Sequence, residues 1–195
     1  MKLIIVRHGE TVENVSRIIQ GQTHGKLTRK GISQAKKLAK RLKNEKIDVI
    51  FSSDLGRARD TAKEIAKYHK VKIKYSKLLR EKSHGIFDGG PSENWINFKG
   101  KKKLPPISFR PEGGENFYDL NERAKKFLKE IKNKYKDKTV LIVSHGGLIR
   151  MLLGNIMKIP IKIAFGMTQL NCCVNLVEIK GKDVQVHSIN CIKHL

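Results

Sequence analysis

Three short apolar runs constrain this chain more than any other feature. Leu3-Ile4-Ile5-Val6, Val49-Ile50-Phe51 and Val140-Leu141-Ile142-Val143 are too short for helices and show no alternation. Runs of that kind read as strands buried on both faces, the condition of a parallel sheet covered by helices. Helical periodicity lies between them. Ile32, Ala35, Leu38, Ala39 and Leu42 predict an amphipathic helix over Arg29–Lys43, with Thr28 as its N-cap. Ala58, Thr61, Ala62, Ile65 and Ala66 give a narrow, small-residue face to a second helix, for which Asp54 is the expected cap. Leu120, Ala124, Phe127, Leu128, Ile131 and Tyr135 predict a third at about Asn116–Tyr135, and a fourth follows Gly147. Val71–Tyr75 alternates like an edge strand, and Asn171–Ile179 with Val184–Ile189 reads as a hairpin across Gly181-Lys182. The expected fold class is α/β: a three-layer α/β/α sandwich with a mostly parallel central sheet, in one domain spanning residues 1–195.

The ends of the buried runs carry the chemistry. Val6 leads into Arg7-His8-Gly9, and Val143 leads into Ser144-His145-Gly146-Gly147. In open α/β sheets, ligands bind at the carboxyl ends of strands. Either His alone could simply end a strand; two in the same setting point to one shared crevice. The run ending at Phe51 leads to Ser52-Ser53-Asp54, and Arg57 falls in the first turn of the next helix. Two His and two Arg at one sheet edge make a positive pocket, suited to a dianionic phosphate held by Arg forks and helix N-termini. His8 is the expected nucleophile, since a neutral imidazole can attack phosphorus and form a phosphohistidine. Glu81 is the best-placed proton donor for a leaving alkoxide. No His-Glu-x-x-His, Cys-x-x-Cys or Asp-x-Asp cluster occurs, so neither metal nor cofactor is expected.

The segment 76–115 is the least regular, rich in Gly and Pro from Gly85 to Gly114, with one short helix expected around Ser92–Phe98. A long irregular excursion inside a domain suggests a lid over the site. The formal charge of +23 would suit nucleic acid, an anionic membrane surface or small anionic substrates. Its lysines are dispersed, as on a solvated surface, and no nucleic-acid motif with interleaved aromatics is present, so no nucleic-acid partner is expected. The three cysteines, Cys172, Cys173 and Cys191, have no framework spacing and read as reduced, buried small hydrophobes, the adjacent pair lying in a strand. No apolar run approaches a membrane span or a signal-peptide core, which makes a cytoplasmic protein without membrane contact the expectation. A homodimer is compatible with this reading.

Taken in order, the motifs resemble the histidine phosphatase superfamily, in its phosphoglycerate-mutase-like branch. The resemblance rests on Arg7-His8-Gly9-Glu10-Thr11 with Asn14, Gln20-Gly21, Leu27-Thr28-x-x-Gly31-x-x-Gln34-Ala35 and Ser52-Ser53-Asp54-Leu55-Gly56-Arg57-Ala58-x-x-Thr61-Ala62. It continues through Leu79-x-Glu81-x-x-x-Gly85-x-x-x-Gly89, Pro111-x-Gly113-Gly114-Glu115 and Val143-Ser144-His145-Gly146-Gly147. It implies a phosphoglycerate-mutase-like fold, with His8 as the phospho-accepting nucleophile, Arg7, Arg57 and His145 around the phosphate, and Glu81 as the acid. It also implies substrate or phosphate contacts at Asn14, Gln20, Gly21 and Gly146. The chain departs from the family pattern at Glu13 and at His84, Phe87 and Asp88, which bears on specificity and not on the catalytic core. Its length matches the phosphatase branch, so a phosphatase acting on a small phosphorylated metabolite is the expectation. A cofactor-dependent phosphoglycerate mutase is the alternative, and a catalytically silent anion- or nucleic-acid-binding protein a further one. The lysines of the excursion, Lys99, Lys101, Lys102 and Lys103 with Arg110, could favour a substrate with a second anionic group.

Overall fold

The computed structural model describes residues 1–195. Its centre is one six-stranded sheet. The strands are β1 (Lys2–Arg7), β2 (Val49–Ser52), β3 (Ile73–Tyr75), β4 (Thr139–Ser144), β5 (Val174–Lys180) and β6 (Asp183–Cys191), in the order β3-β2-β4-β1-β5-β6. The first four are parallel; β5 runs antiparallel to β1 and pairs with β6 as a hairpin.

The apolar runs behave as their lack of alternation demands. Successive residues of a strand point to opposite faces, and here each face has its own core. Leu3, Ile5, Val140 and Ile142 enter one core with Leu120, Phe127, Ile131, Leu148 and Leu152. Ile4, Val6, Leu141 and Val143 enter the other with Ala35, Leu38, Leu42, Ala58, Ala62 and Ile65. Each such side chain contributes roughly 1.5–3 kcal/mol on burial. The first core is closed by α5 (Phe117–Lys134), α6 (Gly146–Met157) and α7 (Ile161–Phe165), the second by α2 (Arg29–Leu42) and α3 (Gly56–Ala66). The result is the three-layer sandwich expected. No helix is long and apolar enough to cross a membrane.

The local signals mostly hold. Thr28 caps α2 by accepting from the Gly31 N–H at 2.9 Å. Asn116 and Asp119 form a reciprocal capping box at the start of α5. A short helix, α1 (Val12–Val15), opens the connection after β1, capped by Thr11 with Asn14. Contact between α2 and the loop that follows β1 is backbone to backbone. A methyl on Gly9 would strike the Gly31 carbonyl, and one on Gly31 would strike the Glu10 carbonyl.

Four expectations need correction. Asp54 does not cap α3, whose N-cap is Leu55 without a side-chain bond; its carboxylate pairs with Arg80 instead, from Arg80 Nε at 2.8 Å. Cys172 and Cys173 precede β5, with Cys172 in the left-handed region at φ 55°, where the chain turns to accommodate two contacts from its N–H to Arg7 and His8 carbonyls. Cys191 is not buried but half-exposed, beside Arg41. The helix in segment 76–115 is longer than the expected Ser92–Phe98: α4 spans Ser92–Lys102, with Trp95 and Phe98 packed against Phe87 and Phe109 to anchor it.

Candidate active site

Sheet order explains why two similar strand ends make one site. β1 and β4 are neighbours, with Arg7 opposite Ser144, so His8 and His145 leave the sheet side by side. Their ring centroids are 5.1 Å apart. Both rings are buried, and the His8 N–H donates to the Ser144 carbonyl at 3.0 Å. From α3, which follows the adjacent β2, the Arg57 side chain reaches between them. Its Nε donates to His145 Nδ1 at 3.1 Å and more loosely to His8 Nε2 at 3.3 Å. Its fork donates to the carbonyls of Thr23 at 2.6 Å and Gly21 at 2.9 Å. Gly21 has φ 44°, a conformation that favours glycine, and this turns its carbonyl toward Arg57.

The hydrogen bonds assign the tautomers. His8 Nδ1 lies 2.7 Å from the Gly9 carbonyl, and a carbonyl only accepts, so Nδ1 carries the proton and Nε2 keeps its lone pair. His145 accepts from Arg57 at Nδ1, so its Nε2 carries the proton; that atom is buried and has no partner within the protein. Burial, followed by the charges of Arg57 and Arg7, holds the His8 imidazole well below its ordinary value of 6.5. Burial likewise depresses His145, with Arg57, His8 and Arg7 adding to it. Both rings are therefore neutral at physiological pH. Burial also lowers Arg7, and draws Arg57 down to about 10, which leaves it charged.

Arg7 extends from the end of β1, donates from Nη1 to the Gln169 carbonyl at 2.7 Å, and lies against Gly146, where the lack of a side chain leaves room for it. Its Nε is buried without a protein partner. Glu81 sits across from it, accepting from the Gly147 N–H at 3.0 Å and the Lys82 N–H at 2.8 Å. Burial alone would raise this carboxyl, but the two N–H groups and the Arg57 and Arg7 charges outweigh it and set the net value below the usual range.

The structure thus brings Arg7, His8, Arg57, Glu81, His145 and Gly146 into one pocket. Gln20 is buried beside Arg57, with its Oε1 unpartnered. Asn14 lies further out, its Oδ1 engaged with the Thr11 N–H at 3.2 Å in the cap of α1. Several positioning residues escape sequence reasoning. Thr61 Oγ1 accepts from the Gly9 N–H at 3.1 Å, Asn171 donates to the His8 carbonyl at 3.1 Å, and Arg123 of α5 donates to the Glu81 carbonyl at 2.9 Å while pairing with Glu115 at 2.8 Å. Asp88 joins the α1–α2 connection, whose carbonyls hold Arg57, to the loop after Glu81, accepting from the N–H groups of Gln22 at 3.2 Å and His84 at 2.9 Å. No group of three or more His, Cys, Asp or Glu side chains able to hold a metal ion occurs.

The neutrality of the two histidines has a consequence for stability. An unfolded His titrates near 6.5, so below that value the unfolded chain binds protons that the folded chain refuses. The stabilisation is complete above about pH 6.5 and is lost as pH falls. The melting temperature should drop on acidification from about pH 7.5 to about pH 5.5, and His8→Ala and His145→Gln should each flatten that slope. Unchanged slopes in both variants would rule the account out.

A three-layer α/β sandwich with paired imidazoles and arginines at the strand ends offers the neutral nitrogens and the cations that phosphoryl transfer uses. The chain belongs to the histidine phosphatase superfamily (branch 1), whose family model matches residues 3–192. It is 32% identical over 182 residues to the probable phosphoglycerate mutase GpmB of Photorhabdus laumondii, covering 91% of this chain and 85% of that protein. It is also 32% identical over 207 residues to a metal-independent phosphoserine phosphatase of Arabidopsis thaliana, covering 100% of this chain and 83% of that one. Among solved structures, a phosphoserine phosphatase mutant of Entamoeba histolytica in complex with phosphoserine superposes with a TM-score of 0.86 at 27% identity, covering 100% of this chain and 98% of that one.

Proposed function

We propose that the protein is a phosphomonoesterase that hydrolyses a small phosphorylated metabolite through a phosphohistidine on His8. The observation that carries this reading is the His8 ring itself: neutral, with Nδ1–H fixed on the Gly9 carbonyl and the Nε2 lone pair turned toward Arg57. Relatives named for phosphoserine and phosphoglycerate chemistry support the substrate class.

In this mechanism the phosphoryl group sits among Arg7, Arg57 and His145, whose N–H groups face the charge on its equatorial oxygens. Nε2 of His8 attacks phosphorus as the ester P–O bond breaks, and Glu81 gives its proton to the leaving oxygen. Water then attacks phospho-His8 with Glu81 as base, returning neutral His8, inorganic phosphate and a protonated Glu81. The low value of Glu81 is consistent with this role. A bound phosphate dianion offsets the very cations that hold the carboxyl down, and so raises it for proton donation.

Glu81→Gln preserves the shape and keeps one acceptor oxygen for the Gly147 and Lys82 N–H groups, which meet different carboxylate oxygens in Glu81, but carries no transferable proton. Alkyl phosphates, with poor leaving groups, should be slowed about 10²–10⁴-fold, and p-nitrophenyl phosphate far less. Equal slowing of both would remove Glu81 from the acid role. Phosphatase and mutase differ in whether water or a second hydroxyl takes the phosphoryl group. We expect phosphate release from a metabolite panel; interconversion of 2- and 3-phosphoglycerate without release would overturn the hydrolytic reading.

A further inference from the structure

The end of the sheet opposite the phosphate pocket carries a groove with a composition of its own. Arg7 and His8 stand at the carboxyl end of β1 and Met1 precedes its amino end, so the strand puts roughly 20 Å between them. A recess of about 290 Å³ lies beside Met1. Its floor is aliphatic, made by Met1, Leu128, Ile156, Ile179 and Val184. Its rim is basic, with Lys125, Lys129 and Lys132 on α5, Lys158 at the end of α6 and Lys182 in the turn between β5 and β6. An adjoining recess of about 320 Å³ shares Met1, Lys132 and Ile179 and adds Lys136. No Asp or Glu lines either one.

The helix supplies this pattern directly. Lys125, Leu128, Lys129 and Lys132 are spaced three and four apart and share one side of α5, next to the Ala124, Phe127 and Ile131 stripe that enters the core. Lys125 pairs with Glu122 at 2.7 Å, but Lys129, Lys132, Lys136, Lys158 and Lys182 form no ion pair. Glu178, beside the floor residue Ile179, is already held by Lys180 at 3.3 Å and His187 at 3.6 Å. Lysines elsewhere are engaged differently. Lys82, the one buried lysine, donates to the carbonyls of Glu115 and Ser83, and Lys99 and Lys102 lie over the rings of Trp95 and Phe98. Around the groove, like charges repel one another and aliphatic surface meets water, so neither feature stabilises the fold.

We propose that this groove docks a segment of an acidic protein partner, in which several Asp or Glu residues flank an apolar anchor. The ammonium groups come from three separate elements, so a single anionic head group cannot meet them, whereas carboxylates spread along a peptide can. The floor is recessed below the rim, so a flat membrane surface would touch the lysines and leave the floor empty. Nucleic acid fits less well still: the floor has no aromatic ring for a base to stack on, and the rim has no Arg fork for phosphates. An acidic segment with an apolar side chain uses both parts, the anchor for affinity and the carboxylates for steering and register.

Fluorescence anisotropy tests this with a fluorescein-labelled peptide whose central Leu-Leu is flanked by runs of Glu, compared with the same peptide carrying Ser-Ser. Wild type should bind the Leu peptide at least tenfold tighter, because only that one fills the floor. Lys129→Glu combined with Lys182→Glu should weaken the Leu peptide at least tenfold. Lys36→Glu combined with Lys40→Glu makes the same change of charge on α2 and should leave its affinity within twofold. Leu128→Gln should bring the two peptides together in affinity. Melting temperatures show that each variant folds, and the comparison of the two peptides on wild type decides the matter even where one does not. Equal binding of the two peptides, no binding, or an equal loss in both charge variants overturns the groove. Tighter binding of a labelled oligo-dT, or of phosphatidylserine vesicles, that is lost in Lys129→Glu with Lys182→Glu would give the face to nucleic acid or membrane and likewise overturn the proposal.

Discussion

His8→Ala should reduce phosphate release to below ~1% of wild type and leave a folded protein, because the variant lacks the only atom placed to attack phosphorus. The loss is expected in kcat, since Arg7, Arg57 and His145, the proposed phosphate contacts, are unchanged. Removing the ring need not orphan its main neighbour. Arg57 Nε retains His145 Nδ1 at 3.1 Å, and the Gly9 carbonyl loses a single donor. The stability change is therefore expected within about 1–3 kcal/mol, the range for one buried group left unpaired. Rapid quenching of a labelled-ester reaction into alkaline SDS checks the mechanism directly. Wild type should yield an acid-labile, base-stable phosphoprotein and the variant none. Turnover above ~1%, or a phosphoprotein that survives the substitution, would rule out His8 as the nucleophile.

Arg57→Lys is expected to be nearly as damaging, though it keeps the charge. Arg57 presents a rigid fork that serves two imidazoles and the carbonyls of Gly21, Thr23 and His24 at once. A lysine ammonium is a point donor on a flexible stem and cannot reach both ends of that arrangement. At least two buried acceptors would lose their donor, at about 1–3 kcal/mol each. In the reaction, loss of a positioned donor from the transition-state charge typically costs 10²–10³-fold in kcat. Steady-state kinetics and urea unfolding of the same variant separate the two effects. Activity above one-tenth of wild type with unchanged stability would show that charge alone, and not the fork, is what the site requires.

The sequence made some parts of this arrangement plain and hid others, for physical reasons. Buried strands were legible because a run without alternation can only be covered on both faces, as Ile4 and Ile5 are by different cores. The convergence of His8 and His145 was legible from the repetition of strand, His and Gly, and the register of Arg7 with Ser144 is its structural cause. Arg123 was hidden because it sits on a helix whose pattern marks it as a solvent-side position; only the fold brings the Glu81 loop over it. Lys82 was hidden for the opposite reason. In a chain with 41 Lys and Arg residues, one buried lysine leaves no mark in the composition. Asp54 misled because its capping chemistry and its pairing chemistry are the same carboxylate, and Arg80, distant in sequence, took it. The charged tips of segment 76–115 suggested a binding role, but aromatic rings lie within reach of Lys99 and Lys102, and sequence periodicity does not register such contacts.

The meeting of Gly9 with Gly31 acts as a mechanical stop for His8, the proposed nucleophile. Where side chains separate two elements, rotamer changes let the spacing drift as temperature rises. Here a carbonyl meets a Cα with nothing between them, and α2 cannot slide along its groove without displacing the peptide that follows His8. The depth of the imidazole is thus tied to the stiffest part of the molecule, its backbone and central sheet. Below the unfolding transition, warming should change how fast the phosphoryl group moves without changing where His8 stands to receive it.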